Sequence, residues 1–167
     1  MRTATLTAVL TFGIDQISKL AIVQGMNLIE RGVIEVFPPF LVLRMAWNRG
    51  INFGLLADDA QFVRWGLILV ALAISAWVWV WVQRENPGRW TQISAGLLVG
   101  GALGNVIDRV IYGAVADFLN MSCCGIENPY AFNVADIAVF AGAAGLVLFT
   151  GGGKDKPAPG KTGRKTP

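Results

Sequence analysis

Histidine is absent from the 167-residue chain. Its absence excludes the Ser-His-Asp and Cys-His nucleophile systems and the histidine-based metalloprotease motifs together. Charge is scarce: 15% of residues are charged against 54% hydrophobic, where a soluble domain carries about a quarter charged residues. The only two cysteines, Cys123 and Cys124, stand side by side, which gives neither an ordinary disulfide framework nor metal-ligand spacing. Hydrolytic chemistry, if present, must run on carboxylates, lysine or backbone groups, and no metal or other cofactor is implied.

What remains is apolar, with a mean hydropathy of +0.53, and such a chain needs lipid as its solvent. The length suits one domain, and four spans of about 20 residues each would use about half of it. Apolar segments run over about 3–22, 62–82, 90–112 and 131–150. At about 1.5 Å of rise per residue each covers a hydrocarbon core of roughly 30 Å. The pattern predicts an all-α membrane protein of four transmembrane helices forming a domain over 1–153. The first segment read as a cleaved signal peptide is the alternative, but Asp15 and Lys19 interrupt it and no small-x-small site follows.

The net charge of +3 does not point to nucleic acid, because the surplus sits in short flanks. Lys154, Lys156, Lys161, Arg164 and Lys165 crowd the tail, Arg84 and Arg89 occupy the turn at 83–89, and the stretch 113–130 has no lysine or arginine. The positive-inside rule then places both termini and the middle turn in the cytoplasm, with the loops 24–61 and 113–130 outside. Arg31, Arg44 and Arg49 in the first outer loop weigh against this modestly. Within that loop, 33–37 and 40–47 are rich in β-formers and are broken by Pro38 and Pro39. A small extramembrane sheet on the bilayer surface is expected there, and the Gly-, Pro- and Lys-rich tail, 154–167, has nothing to bury and is expected to be disordered.

This topology sorts the polar residues by depth. Asp15 and Lys19 fall in the outer half of the first helix, and Asn105, Asp108 and Arg109 at the outer end of the third. Asp117 lies just beyond that end, and Asn133 and Asp136 open the fourth helix. Ionisable groups in a span cost a few kcal/mol, so a cluster at one depth is a site hypothesis. Plainer roles exist for some members. Asp15 and Lys19, four residues apart, can neutralise each other, and Asn105 with Arg109 can close a helix end, while Asp108 with Arg109 can snorkel to the interface. Asp136 has no basic residue within a helical turn or two in sequence. The second helix has Arg64 as its only charge and Trp77, Trp79 and Trp81 toward its cytoplasmic end, the composition of a scaffold. A proton-coupled transporter would spread its acids across the membrane depth, and a non-catalytic scaffold has no use for two aspartates at one level.

Five strings complete the pattern: Asp15-Gln16-Ile17-Ser18-Lys19; Asn48-Arg49-Gly50-Ile51-Asn52-Phe53-Gly54; Gly100 through Asn105 to Asp108-Arg109; Val115-Ala116-Asp117-Phe118; and Phe132-Asn133-Val134-Ala135-Asp136. In this order the chain resembles the lipoprotein signal peptidases, also called signal peptidase II, across all four segments. One departure is Asn52, where the family commonly has alanine, which puts the contact made at that position in doubt. The resemblance implies an intramembrane aspartic endopeptidase of the bacterial inner membrane, whose site the topology puts at the periplasmic side, and a monomer is expected. It would remove signal peptides from diacylglyceryl-modified prolipoproteins on the amino side of the lipidated cysteine. It also implies inhibition by the cyclic peptide globomycin and a catalytic pair at Asp117 and Asp136. Asn105, Asp108, Arg109 and Asn133 are expected to support that pair, Asn48, Gly50 and Asn52 to meet the substrate backbone, and Asp15 with Lys19 to form a structural polar pair.

Overall fold

A computed structural model describes residues 1–50 and 60–150; Asn52 and the tail lie outside the described residues. Helix α1, Arg2–Lys19, runs into a π-helical turn at Leu20–Gly25, followed by a short helix α2, Leu28–Arg31. Strands β1, Val33–Phe37, and β2, Leu41–Asn48, precede helix α3, Ala60–Glu85, and helix α4, Arg89–Tyr112. Strand β3, Val115–Asn120, and helix α5, Val134–Thr150, complete the described elements. Among the described residues, three helical stretches, Arg2–Gly25, Gln61–Glu85 and Arg89–Tyr112, are long and apolar enough to cross a membrane. The chain is thus mostly helical and multi-pass, with one small sheet.

Helix α4 is the centre. On α1 the buried residues Ala4, Ala8, Thr11, Asp15 and Lys19 recur every three to four positions and form one stripe. That stripe lies against Gly96, Gly100 and Gly104 of α4, where an added Cβ would fall 2.5 Å from the Ala8 carbonyl oxygen at Gly100. Gly101 meets α5 in the same way, at the Ala135 carbonyl oxygen. The small residues of α4 are therefore occupied by neighbouring helices, the packing role such residues usually fill in membranes. Arg64 of α3 donates to the Val110 carbonyl at the end of α4, 3.0 Å away.

Two apolar cores flank a polar layer. Ala4, Val78, Val82, Ala95, Leu98 and Val99 pack at one end, and Val23, Leu28, Leu43, Ala116 and Phe118 pack beneath the sheet at the other. The sheet has the order β1-β2-β3, antiparallel throughout. The β1-β2 hairpin matches the sequence expectation, but β3, Val115–Asn120, occupies part of the stretch 113–130, which the sequence predicts as an outer loop. Its alternation explains it: Ala116 and Phe118 face the apolar core while Asp117 faces away from it, as period-two side chains must. Phe118 is fully buried, a burial that contributes about 1.5–3 kcal/mol.

The fourth apolar segment begins later than the sequence suggested, at Val134 rather than 131. Phe132 is held extended because its N–H donates to Leu119 at 2.9 Å and its carbonyl accepts from the same residue at 2.8 Å. Cys123 and Cys124 are bonded to each other in the exposed loop between β3 and α5.

Candidate active site

The start of α5 is built by reciprocal capping. Asn133 Oδ1 accepts from the Asp136 N–H at 2.9 Å, and Asp136 Oδ2 accepts from the Asn133 N–H at 3.2 Å. This places an acidic group in the first turn, where free N–H groups and the helix dipole accommodate it. The other oxygen, Asp136 Oδ1, accepts from Asn105 Nδ2 of α4 at 2.8 Å.

Asn133 is also the link to the second carboxylate. Its Nδ2 donates to Asp117 Oδ1 at 2.7 Å and lies 3.2 Å from Asn105 Oδ1. Asp117 is 2% exposed on β3, and its other oxygen accepts from Asn48 Nδ2 at 3.0 Å. Strand pairing produces that contact, since Ala46 is the partner of Asp117 and Asn48 that of Val115. Asn48 Oδ1 in turn accepts from the Gly50 N–H at 3.0 Å, which fixes the orientation of the amide. Gly50 itself sits at φ 105 beside Val63 and Leu67 of α3. A chain of Asn48, Asp117, Asn133, Asp136 and Asn105 thus joins four separate elements.

Burial raises the Asp117 carboxyl first, and the negative charge of Asp136 raises it further. Hydrogen bonds from Asn48 and Asn133 and the positive charge of Lys19 oppose the rise, and the balance leaves Asp117 pushed up to about 6. A carboxyl so placed holds or releases its proton near neutral pH.

A second polar group lies behind the first. Lys19 Nζ is 2.8 Å from Asp15 Oδ2, as its spacing on the helix suggested, and also 2.8 Å from Asp108 Oδ2 on α4. Asp108 therefore points inward and is 1% exposed, so the interfacial snorkelling considered for it with Arg109 does not occur. Gln16, to which the sequence assigns no role of its own, reaches Asp15 Oδ2 at 3.0 Å and Asp108 Oδ1 at 3.2 Å. A glutamine between a buried Asp and Lys on an apolar helix was the available signal. Arg109 Nη1 donates to the Asn105 carbonyl at 3.2 Å, the helix-end contact expected, while among the described residues its buried Nε has no hydrogen-bond partner. On the Ala116 side of β3 lies a cavity of about 300 Å³ bounded by Lys19, Val23, Trp47, Asp108 and Tyr112.

Apolar helices around a hydrogen-bonded layer define a multi-pass membrane protein, with Asp117 and Asp136 in that layer as its candidate site. Comparison with known proteins narrows the class. The sequence profile of signal peptidase (SPase) II matches residues 7–150, and the chain belongs to the signal peptidase II family. A lipoprotein signal peptidase of Methylorubrum extorquens (strain PA1) is 40% identical over 147 residues, 88% of this chain and 84% of the relative. One from Methylobacterium radiotolerans is 39% identical over 163 residues, 96% and 94% of the two chains. A solved structure described as a bacterial membrane enzyme, determined in meso at 1.9 Å resolution, superposes with a TM-score of 0.75 at 28% identity, covering 93% of this chain and 96% of that one.

Proposed function

We propose that the chain is an aspartic endopeptidase that removes signal peptides from diacylglyceryl-modified prolipoproteins, cutting on the amino side of the lipidated cysteine. The observation that carries this reading is Asn133, which binds Asp136 through its backbone N–H and Asp117 through its side chain, so that carboxylates from β3 and α5 share one network.

Asp117, pushed up by burial and by the charge of Asp136, shares one proton with Asp136. The ionised carboxylate of the pair draws a proton from water, which attacks the scissile carbonyl. The protonated partner hydrogen-bonds the carbonyl oxygen and then protonates the departing amine. The two ionisations belong to the pair. Asn105 and Asn133 orient the carboxylates, and Arg109, with donors to spare, meets substrate carbonyls. Asn48 and Gly50 meet the substrate backbone, and Asn52 is assigned the same role by the family resemblance. Neither a metal nor a covalent intermediate enters this scheme, and globomycin, as a substrate-like cyclic peptide, would occupy the same place.

In this reading α5 is a fourth span, the sheet and the dyad face the periplasm, and both termini face the cytoplasm of a bacterial inner membrane. Residues 1–153 form the peptidase domain and 154–167 a basic tail, and the chain works as a monomer.

The test is cleavage of a purified lipidated prolipoprotein, with and without globomycin, by wild type and by Asp117→Asn and Asp136→Asn. Each substitution removes a group that must take or give a proton, so each is expected to lower turnover by about a hundredfold or more while the protein still folds. The double variant should be scarcely worse than either single one, since the residues act as a unit. A folded single variant that keeps more than about a tenth of wild-type activity would end the dyad assignment.

A further inference from the structure

Asp15, Lys19 and Asp108 are 0%, 7% and 1% exposed. Buried ions of this kind contribute little to net stability, because taking the charges from water costs about what their attraction returns. Their presence therefore calls for something other than stability, and their remaining contacts supply it. Asp15 Oδ1 accepts from the Ala135 N–H at 3.0 Å, and Asp108 Oδ2 accepts from the Ala116 N–H at 3.2 Å. Ala135 immediately precedes Asp136, and Ala116 immediately precedes Asp117. The two segments that carry the carboxylates are thus each fastened, by one backbone hydrogen bond, to an acid held by the same ammonium group. Gln16 Nε2 braces the assembly, lying within 3.4 Å of the Gly104 carbonyl oxygen as well as near both acids.

We propose that Lys19, acting through Asp15 and Asp108, sets the position of Asp136 relative to Asp117, and that these three are positioning residues for the dyad. The proposal rests on the dyad reading above. Without the ammonium group, two buried carboxylates repel each other. As they separate, each carries its bonded N–H and the neighbouring aspartate with it. A misplacement of about 1 Å at a reacting group costs up to about a hundredfold in rate. Lys19 pairs with the two acids rather than with the carboxylates of the dyad, so the loss should fall on kcat and not on KM.

The experiment uses the full chain in detergent, with cleavage of a lipidated prolipoprotein measured per folded molecule alongside thermal melts and backbone hydrogen exchange. Lys19→Met keeps the length and removes the charge, and it is expected to lower kcat by about thirty- to a hundredfold with KM within about threefold. Exchange should quicken in the segments around both Ala116 and Ala135 while the helices stay protected. Lys19→Arg, which restores the charge, should recover about tenfold of the lost kcat. A folded Lys19→Met with kcat within about threefold of wild type, or with KM raised and kcat kept, overturns the proposal. Should Lys19→Met fail to fold, Asp108→Asn decides by the same kcat and KM criteria, with quickened exchange expected around Ala116 alone. Asp136→Asn separates the two readings: if it is inactive while Lys19→Met is active, only the positioning role falls, and if it is active, the dyad falls and the positioning role with it.

Discussion

Asp117 carries the sharpest consequence at the level of single residues. Its carboxyl, normally near 3.8, is pushed up to about 6 by burial and by Asp136, against the hydrogen bonds from Asn48 and Asn133. If Asp117 must be protonated to assist the carbonyl oxygen, kcat/KM should fall as pH rises through an apparent value of about 6. The Asn48 amide donates to the carboxylate and so favours its charged form. Asn48→Ala removes that donor, so the pKa rises and the alkaline limb of the profile moves to higher pH. A pH-rate series on both proteins checks this, and a limb that stays put or moves downward would show that Asp117 does not set it. The sign for folding is the same: a folded pKa above the unfolded one favours the folded state below 3.8, and the advantage is lost as pH rises through about 6. In the sequence, the i,i+4 pairing of Asp15 with Lys19 was legible because helix geometry dictates it. Asp108 as a third partner was not, because nothing along the chain says which face of α4 turns toward α1.

At the level of elements, spans follow from hydropathy while strands depend on neighbours. β1 and β2 showed in the β-formers on either side of Pro38 and Pro39. β3 did not, because its Asp117 and Asn120 are poor strand residues and it becomes a strand by pairing with β2 on one side and Phe132 on the other. The same Phe132 contact explains why α5 starts at Val134, with Asn133 as its cap. The glycines of α4 make a prediction of their own. A Cβ on Gly100 would lie 2.5 Å from the Ala8 carbonyl oxygen and 2.8 Å from Thr11 Cβ. These are a backbone and a branch point, neither of which yields without α1 moving. Gly100→Leu should therefore cost about 1–3 kcal/mol, seen as a melting temperature lower by roughly 2–4 °C per kcal/mol for a chain of this size. Gly13 is the control, since nothing lies within 4 Å of its would-be Cβ, and Gly13→Ala should melt no lower than wild type. Equal melts for Gly100→Leu and wild type would mean that α1 and α4 do not pack closely in the membrane.

For the whole molecule, the proposed fourth span turns on the length of α5. Val134–Thr150 has 17 residues, roughly 26 Å at the usual rise, against a hydrocarbon core of roughly 30 Å. The deficit is small enough for modest bilayer thinning or flanking residues to absorb. Charge supplies the direction. Arg84 and Arg89 lie in the turn between α3 and α4, and the lysines from Lys154 onward follow α5, while 113–130 has no basic residue. By the positive-inside rule this charge pattern favours the proposed orientation, with the turn and the tail on the cytoplasmic side and the loop after β3 opposite. Reporters fused after Lys154 should be cytoplasmic and reporters inserted in 127–130 periplasmic, and only a spanning α5 separates the two. The same side for both would make α5 a re-entrant or interfacial helix. An external signal at Lys154 with an internal one at 127–130 would invert the chain and put Asp117 and Asp136 on the cytoplasmic face, against the proposed periplasmic site.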